Sequence, residues 1–581
     1  MTSTFCKWRA GRALSAAVYC LILAACGGGG SASPSASSVV TISGTMNFEY
    51  VPTNPGCIGL NYTATETRPI RGATVQVIDA STSTVLGSTV TDDNGGYSLN
   101  VSAGISVFLS VRSELKRSGT PSWDVEVRDN TRNTTVPLEQ RPVYALDSGN
   151  FSSGSADQTR NLTATTGWNG VRYSGIRAAA PFAVLDSIYD AMRLVLQADN
   201  TANFEPLDVF WSVNNVPDGG DGTMEDIAAG RIGTSYYSSD NKMFLLGAAD
   251  SDTEEFDSHV IVHEWGHYFE DAFSRSDSIG GVHGPGDRLD MRLAFGEGWA
   301  TALSGMALNS SLYCDTSAAG QSNGFSINIE NSSQSRRGWF NEFSVMELVF
   351  DLWDDSVEVG RGDSGSIGFT PIYDTMVNRQ SVTSAHTSIF SFTTELKDES
   401  PSSAALVDEL LAYHNVNGSG VYGDGETNDA NSATPQDALP VYTQINPTGV
   451  PLNICVNNEH DNSQSNGNKL SQHRFLRFSV AAPSRYAFRL EVDAATLASL
   501  PSDDPANDSD QSDPDAEVFL NGQVVAQGFS GTANVEAFES FGVLAVGNYV
   551  MDLTDWRYAD EQTVAAYPNR VCFDVTVQPT T

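Results

Sequence analysis

The chain has 581 residues and is strongly acidic, with 71 aspartate and glutamate residues against 32 lysine and arginine residues and a formal net charge of −39. This charge argues against nucleic acid as a partner, because proteins that bind nucleic acid present clustered lysine and arginine. The length favours several domains rather than one. Acidity of this kind is common in exported proteins and does not select a substrate.

Residues 1–25 have the pattern of an export signal rather than of a folded element. An apolar stretch from Ala13 to Ala25, too short for a typical membrane span, follows three basic residues: Lys7, Arg9 and Arg12. The stretch ends in Leu-Ala-Ala-Cys-Gly, which resembles a bacterial lipobox with Cys26 as the lipid-bearing first residue of the mature protein. A secretory signal that ends near a cysteine is the alternative.

Residues 26–38 are rich in glycine, serine and alanine and are predicted to form a flexible tether. We therefore expect a protein of the bacterial cell envelope that a lipid on Cys26 attaches to the membrane, at the outer membrane, or else a secreted protein. In either setting the folded part occupies an aqueous, oxidising compartment.

Four of the seven cysteines remain after Cys6, Cys20 and Cys26 are set aside. An even number of cysteines in an oxidising compartment favours disulfides. Cys455 and Cys572 bracket the C-terminal region and are predicted to pair, which leaves Cys57 and Cys314 as a second pair.

Residues 39–146 are predicted to form β-strands, since short β-branched and aromatic segments alternate with turn residues. The segment Asp92 to Tyr97 reads Asp-x-Asn-Gly-x-Tyr, and this region resembles the transthyretin-like, carboxypeptidase regulatory-like β-sandwich. We expect a scaffold or binding role for it. The acidic turn is either a plain hairpin or a Ca²⁺ site.

Residues 147–447 are expected to form a separate domain that contains both helices and strands. Helices are predicted at Pro181–Gln197 and Trp339–Trp353, and a helical run at Ser384–Lys397. Strands are predicted at Leu207–Trp211 and Lys242–Leu246.

A His-Glu-x-x-His motif occupies His263 to His267, inside an apolar run for which Asp257 is a candidate N-cap. Residues four apart share a helix face, so both histidines can bind one metal ion. Glu264, next to the first histidine, can then serve as general base for a water molecule at the metal.

A catalytic zinc site needs a third protein ligand. Glu297 lies 30 residues after His267 in the segment Gly-Glu-Gly-Trp-Ala. With both motifs the sequence resembles the gluzincin metallopeptidases, the clan of thermolysin, certain zinc aminopeptidases and fungalysin. The resemblance implies an α+β thermolysin-like domain with Zn²⁺ held by His263, His267 and Glu297, and with Glu264 as base. It also implies that strand Met243–Leu246 edges the cleft and pairs with an extended peptide substrate.

The sequence departs from that pattern at Thr301, where thermolysin and fungalysin have an aspartate that hydrogen-bonds a ligand histidine. Such a partner fixes the histidine tautomer, so either another acceptor replaces it or the site is weakened. The nearby candidates are Asp257, Glu270 and Asp271.

The resemblance also requires a group that stabilises the oxyanion of the tetrahedral intermediate. The candidates downstream are Tyr373, His386 and His414, of which we favour His386 because it begins a predicted helical run. His283, in a glycine-rich loop between the two motifs, could line the cleft or be an ordinary loop residue.

Residues 448–581 return to strand patterns and resemble the pre-peptidase C-terminal β-sandwich of exported bacterial peptidases. The aspartate-rich run from Asp503 to Asp515 is either a solvated loop or a second possible Ca²⁺ site.

The sequence thus predicts a multidomain, lipid-anchored zinc metallopeptidase flanked by N-terminal and C-terminal all-β sandwiches, with a protein or peptide as substrate. Two rivals remain. One is a zinc hydrolase of a non-peptide amide, and the other is a surface binding lipoprotein whose zinc is only structural.

Overall fold

The computed structural model describes residues 38–220, 222–333, 336–427, 440–460, 467–501, 510–560, 563 and 566–580. The predicted signal peptide and Cys26 lie outside these residues, as does all of the predicted tether except its last residue. None of the helices in the described part combines the length and hydrophobicity needed to cross a bilayer.

The described part of the chain contains nine α-helices, eight of them in the middle of the sequence. They are α1 (Ala180–Ala198), α2 (Met224–Ala229), α3 (Ser258–Phe273), α4 (Met291–Leu308), α5 (Glu342–Asp351), α6 (Phe369–Asn378), α7 (Ile389–Glu399), α8 (Ala404–Tyr413) and α9 (Ala494–Leu497).

The strands fall into three groups along the chain. The first group is β1 (Val39–Tyr50), β2 (Glu66–Pro69), β3 (Ala73–Asp79), β4 (Val85–Val90), β5 (Gly96–Ser102), β6 (Ser106–Arg117), β7 (Trp123–Arg128), β8 (Ala145–Asp147), β9 (Phe151–Ser152), β10 (Gln158–Thr159) and β11 (Leu162–Ala164). The second is β12 (Leu207–Trp211), β13 (Tyr236–Ser238), β14 (Lys242–Leu245), β15 (Gly247–Ala248), β16 (Asp252–Thr253), β17 (Leu312–Ser317) and β18 (Asn323–Asn328). The third is β19 (Tyr442–Gln444), β20 (Leu452–Asn457), β21 (His473–Val480), β22 (Arg485–Val492), β23 (Pro514–Leu520), β24 (Gln523–Gly528), β25 (Val535–Glu539), β26 (Gly547–Asp555) and β27 (Arg570–Thr580).

A nine-stranded sheet joins the N-terminal and middle regions. Its main order is β13-β14-β12-β7-β6-β3-β4, with β8 and β9 paired to β6, and β7 runs parallel to β12. The sheet therefore continues past residue 146, where the sequence predicts the end of the N-terminal sandwich. Without β12, the hydrogen-bonding groups on one side of β7 would be an unpaired edge.

A second, five-stranded sheet is built around β1, which pairs with β2, β5, β10 and β11. Alternate residues of β5 in this sheet and of β3 and β6 in the nine-stranded sheet form one apolar core, exemplified by Leu99, Val75 and Leu109. Strand alternation in the sequence predicts this arrangement, since every second side chain points to the same face.

The middle region is held by the largest apolar core, which the described helices α1 and α3 to α8 share with β12 and β14. Two glycines set how closely its helices approach. A Cβ on Gly266 would lie 2.8 Å from the Cα of Ala300, and a Cβ on Gly298 would lie 2.5 Å from the Cβ of Val345. Helices α3 and α4, and then α4 and α5, therefore pack at distances that only glycine permits.

The C-terminal region is a β-sandwich of two sheets, ordered β19-β21-β26-β23-β24 and β20-β27-β22-β25. Apolar residues of both sheets form the core between them. The molecule is thus multidomain with several β-sheet layers, as the sequence predicts in outline.

Two disulfides are present, and both join the cysteines that the sequence pairs. Cys455–Cys572 connects directly opposite residues of β20 and β27. Cys57–Cys314 connects the N-terminal region to β17, across 257 residues of sequence.

Candidate metal site

Helix α3 presents one face to the interior, and the His-Glu-x-x-His motif lies in its middle turns. Val262, Trp265 and Phe269 are fully buried, which fixes the rotation of the helix and turns His263 and His267 toward α4. Asp257 occupies the N-cap position but makes no capping hydrogen bond. Its carboxylate instead accepts hydrogen bonds from the backbone N–H and the hydroxyl of Thr316.

Three donor atoms converge between α3 and α4. The Nε2 atoms of His263 and His267 are 3.2 Å apart. Oε2 of Glu297 lies 3.2 Å from Nε2 of His263 and 3.5 Å from Nε2 of His267. Glu297 reaches this position because the close contact at Gly266 brings α4 against α3.

These separations fit one tetrahedral zinc ion. Zinc binds nitrogen and oxygen ligands at about 2.0–2.2 Å, so two tetrahedral ligands lie about 3.4 Å apart. Two imidazoles and one carboxylate also form a donor set that zinc commonly binds. The side chains of all three residues are largely buried.

Electrostatics couple the three residues. Burial opposes charge on His267, but the neighbouring Glu297 carboxylate outweighs it and raises the pKa of His267 to about 9. Burial alone would raise the pKa of Glu297. The neighbouring histidines outweigh burial and hold this pKa well below the usual range. The charge of the Glu297 carboxylate is therefore balanced by neighbouring histidines of the same chain.

Thr301 supplies the partner of His263 that the sequence left open. Its hydroxyl lies 3.0 Å from Nδ1 of His263, one turn after Glu297 on α4. None of the three acidic candidates hydrogen-bonds a ligand histidine in the described residues. Asp257 binds Thr316 and Asp271 binds Tyr237, while Glu270 accepts from Ser276 and affects His267 through its charge.

Glu264 is buried beside the two histidines, and burial raises its pKa while the histidine charges lower it. The backbone N–H of Tyr237, in β13, also interacts with this carboxylate. Strand β13 is the end strand of the nine-stranded sheet. The prediction that strand Met243–Leu246 edges the cleft is therefore wrong, because β14 is paired on both sides, with β12 and with β13.

His283, for which the sequence left open a place in the cleft or an ordinary loop position, lies at the site. Its Nε2 lies 3.3 Å from Oε2 of Glu297, and its Nδ1 lies 2.7 Å from Oε2 of Glu342. It is outside the group of donor atoms that all lie within 4.8 Å of one another. Burial lowers its pKa, but the carboxylates of Glu297 and Glu342 outweigh this and raise it to about 9, so both ring nitrogens can donate.

The loop that holds His283 is fastened by the C-terminal sandwich. Lys469 donates from Nζ to the carbonyl of Val282 at 2.6 Å, and the Asn468 amide donates to the carbonyls of Gly280 and Val282. A glycine-rich loop without these contacts would present no fixed side chain. The position of His283 thus depends on residues nearly 190 positions away in the sequence.

Helix α4 is anchored to the same sandwich at its first turn. Arg292 pairs with Asp290, the N-cap of α4, at 2.9 Å and with Asp552 of β26 at 2.7 Å. His473 also pairs with Asp552, at 2.7 Å. These buried ion pairs secure the helix that holds Glu297.

The three predicted oxyanion candidates lie elsewhere. His386 precedes α7, whose N-cap is Ser388, so it does not begin a helix as expected; it contacts Asp277 and the rings of Phe475 and Phe519. The other two are also engaged away from the three converging donors. Tyr373 donates to Asp199, and His414 is fully buried beside Tyr413.

Neither of the two segments considered for Ca²⁺ contributes to a group of three converging metal donors among the described residues. In the turn before β5, Oδ1 of Asp92 accepts from the backbone N–H groups of Asn94 and Gly96, so it serves the turn itself. Most of the run from Asp503 to Asp515 lies outside the described residues, and Asp513 within it pairs with Arg557.

No family model matches the chain, and no curated protein matches it. Among solved structures, the pre-peptidase C-terminal domain of a collagenase from Bacillus anthracis is 8% identical with a TM-score of 0.15, covering 24% of this chain and 94% of that chain. A 9R-lipoxygenase from Cyanothece is 12% identical with a TM-score of 0.13, covering 29% of this chain and 25% of that chain. We draw no argument from likenesses this weak.

Proposed function

We propose that the protein is a zinc-dependent peptidase of the gluzincin type, exported and held at the bacterial envelope by a lipid on Cys26. The observation that supports this most strongly is the convergence of His263, His267 and Glu297 at separations suited to tetrahedral zinc. Glu264, the residue that such chemistry needs as a base, adjoins them on α3.

Zinc bound by these residues would polarise the scissile carbonyl and acidify the attacking water. Glu264 accepts the proton of that water and then passes it to the leaving amine, so that one water and one peptide bond become a carboxylate and an amine. Its burial supports this role, because burial raises the pKa of Glu264 and so makes the carboxylate a stronger base.

His283 is a positioning residue in this proposal. Its Nδ1 hydrogen-bonds Glu342 and its Nε2 lies 3.3 Å from Oε2 of Glu297, so it holds the Glu297 carboxylate in position. Thr301 fixes the ring of His263 in the same way.

The position of β13 favours a peptide over a non-peptide amide as substrate. Strand β13 ends the nine-stranded sheet, and its Tyr237 backbone adjoins Glu264. An extended peptide can add to such an edge by backbone hydrogen bonds, which places one of its bonds next to the base.

The test compares wild type with Glu264→Gln for zinc content and for turnover of a quenched peptide library. We expect the variant to keep about one zinc per chain and to lose hydrolysis by about 10²–10⁴-fold, the usual contribution of a general base. Glu225→Gln, an exposed glutamate in α2, is the matched control and should behave as wild type.

Each rival predicts a different result. Wild-type protein that holds zinc but cleaves no peptide would support a binding lipoprotein with structural zinc. Turnover of non-peptide amides alone would support the other zinc hydrolase. Near-normal peptide cleavage by Glu264→Gln would refute the assigned mechanism.

A further inference from the structure

A second group of converging side chains, all carboxylates, lies near the first turn of α3. One carboxylate oxygen each from Asp252, Glu254 and Asp315 lies within 4.8 Å of the other two. Asp252 is on β16, Glu254 begins the short turn that leads into α3, and Asp315 is on β17. Asp257 adds a fourth carboxylate whose charge interacts with Asp315 and Asp252.

These carboxylates have no cationic partner in the described part of the chain, where none of them forms an ion pair. The nearby Arg177 forms its ion pair with Glu255, which is not one of these four residues. Four carboxyl groups therefore meet in a largely buried region, where burial raises the pKa of each and unpaired charge is strongly unfavourable.

Several of the buried oxygens also lack hydrogen-bond donors. Glu254 is only 3% exposed; its Oε1 accepts from Ser235, whereas its Oε2 has no partner. Asp257 is 1% exposed, and its Oδ1 is likewise without a partner, as is Oδ1 of Asp252. Buried polar atoms are almost always satisfied, so these oxygens point to a ligand of positive charge.

We propose that Asp252, Glu254 and Asp315, with Asp257 beside them, bind one Ca²⁺ ion. Calcium takes only oxygen ligands, at about 2.3–2.6 Å, so the oxygens around one ion lie at most about 5 Å apart. The observed convergence meets this condition. Magnesium keeps several waters and a strict octahedron, and zinc prefers nitrogen or sulfur, so both suit a buried group of carboxylates less well.

The ion would fasten the start of α3 to the strands beside it. Strands β16 and β17 are joined by a single residue pair, Asp252 with Ser317. The like charges on Asp252 and Asp315 would push this junction apart, whereas a shared cation would close it. Tyr313 connects the two groups, since it lies two residues before Asp315 on β17 and its ring centroid is 6.3 Å from that of His263.

The proposal is tested on the purified zinc-loaded protein, stripped with EGTA and titrated with CaCl₂ while Mg²⁺ is kept in excess. We expect one Ca²⁺ per chain to bind with micromolar or lower Kd and to raise Tm by several degrees, while zinc content stays constant. Asp315→Asn should lose this binding. The matched control Glu139→Gln, on an exposed turn outside the cluster, should keep it.

A second measurement protects the test against simple misfolding. Removing one of four repelling carboxylates should leave Asp315→Asn at least as stable as wild type in EGTA, yet less stable than wild type in calcium. This crossing of Tm values supports the proposal. A wild-type Tm that calcium leaves unchanged, or an Asp315→Asn variant that binds calcium like wild type, would overturn it, and neither result depends on peptide hydrolysis.

Discussion

The two ligand groups near α3 differ in how the chain neutralises them. At the first, Glu297 is surrounded by His263, His267 and His283, and the donors are mixed nitrogen and oxygen. At the second, every donor is a carboxylate and no basic side chain pairs with it in the described residues. The difference teaches that burial alone does not define a metal site. The chemical elements of the donor atoms decide which metal a group binds. The negative charge that no basic residue neutralises indicates how much the stability of the fold depends on that metal.

The largest expected effect comes from removing a ligand of the first group. His263→Ala should reduce bound zinc from about one per chain to near zero and lower peptide hydrolysis by at least about 10³-fold, since the metal supplies the Lewis acid. Atomic absorption on folded protein measures the first quantity, and a quenched peptide assay the second. Calcium binding at the other group should persist.

His259→Gln is the control for that experiment, because His259 is on the same helix, largely buried, and outside the converging donors. Full zinc retention in His263→Ala, or equal zinc loss in both variants, would contradict the ligand assignment.

A second variant measures what a buried carboxylate costs without its cation. Arg292→Met leaves Asp290 without its ion-pair partner and Asp552 with only His473 at the base of α4, and it should lower the free energy of unfolding by about 3–5 kcal/mol. Chemical denaturation at neutral pH measures it. A loss below about 1 kcal/mol would mean that unpaired buried carboxylates are tolerated here, which would also weaken the argument for calcium.

Acid should act oppositely on these two proteins. In wild type, Arg292 outweighs burial and holds the pKa of Asp290 and of Asp552 below the usual range. Their stabilisation is therefore present above the ordinary aspartate pKa of about 3.9 and is lost as pH falls through the lower folded values. Without Arg292, burial favours the neutral acids, so the stability gap between the variant and wild type should narrow on acidification.

The smallest effect concerns the ring of His263. Thr301→Val keeps the shape of the side chain but removes the hydroxyl that meets Nδ1. We expect zinc affinity to fall by about 10–100-fold, as is typical when a partner of a ligand histidine is lost. Competition with a fluorescent zinc chelator measures this, and Thr301→Ser should restore most of the affinity. Unchanged affinity in Thr301→Val would assign the hydroxyl a packing role only.

The contrast between the groups also explains what the sequence could predict. His263, Glu264 and His267 are readable because helix geometry converts a spacing of four into one shared face, and Glu297 is readable from its glycine-flanked motif. The strand patterns and the cysteine pairs follow from similarly local or arithmetic signals.

Other features depend on tertiary contacts that leave no local pattern. His283 sits in a glycine-rich loop and gains its position from Glu342 on α5 and from Lys469 of the C-terminal sandwich. The carboxylates proposed to bind calcium come from two strands and a turn, and helices α3 and α4 separate Asp315 from Glu254 in the sequence. Strand patterns in the sequence assigned β7 and β12 to different domains, whereas the structure pairs them in one sheet.

Anomalous diffraction from crystals grown with zinc and calcium tests the central assignment most directly. We expect a zinc-edge peak within bonding distance of Nε2 of His263, Nε2 of His267 and Oε2 of Glu297. We expect no zinc peak among Asp252, Glu254 and Asp315. A zinc peak among those three carboxylates, or none between α3 and α4 in zinc-loaded protein, would contradict it.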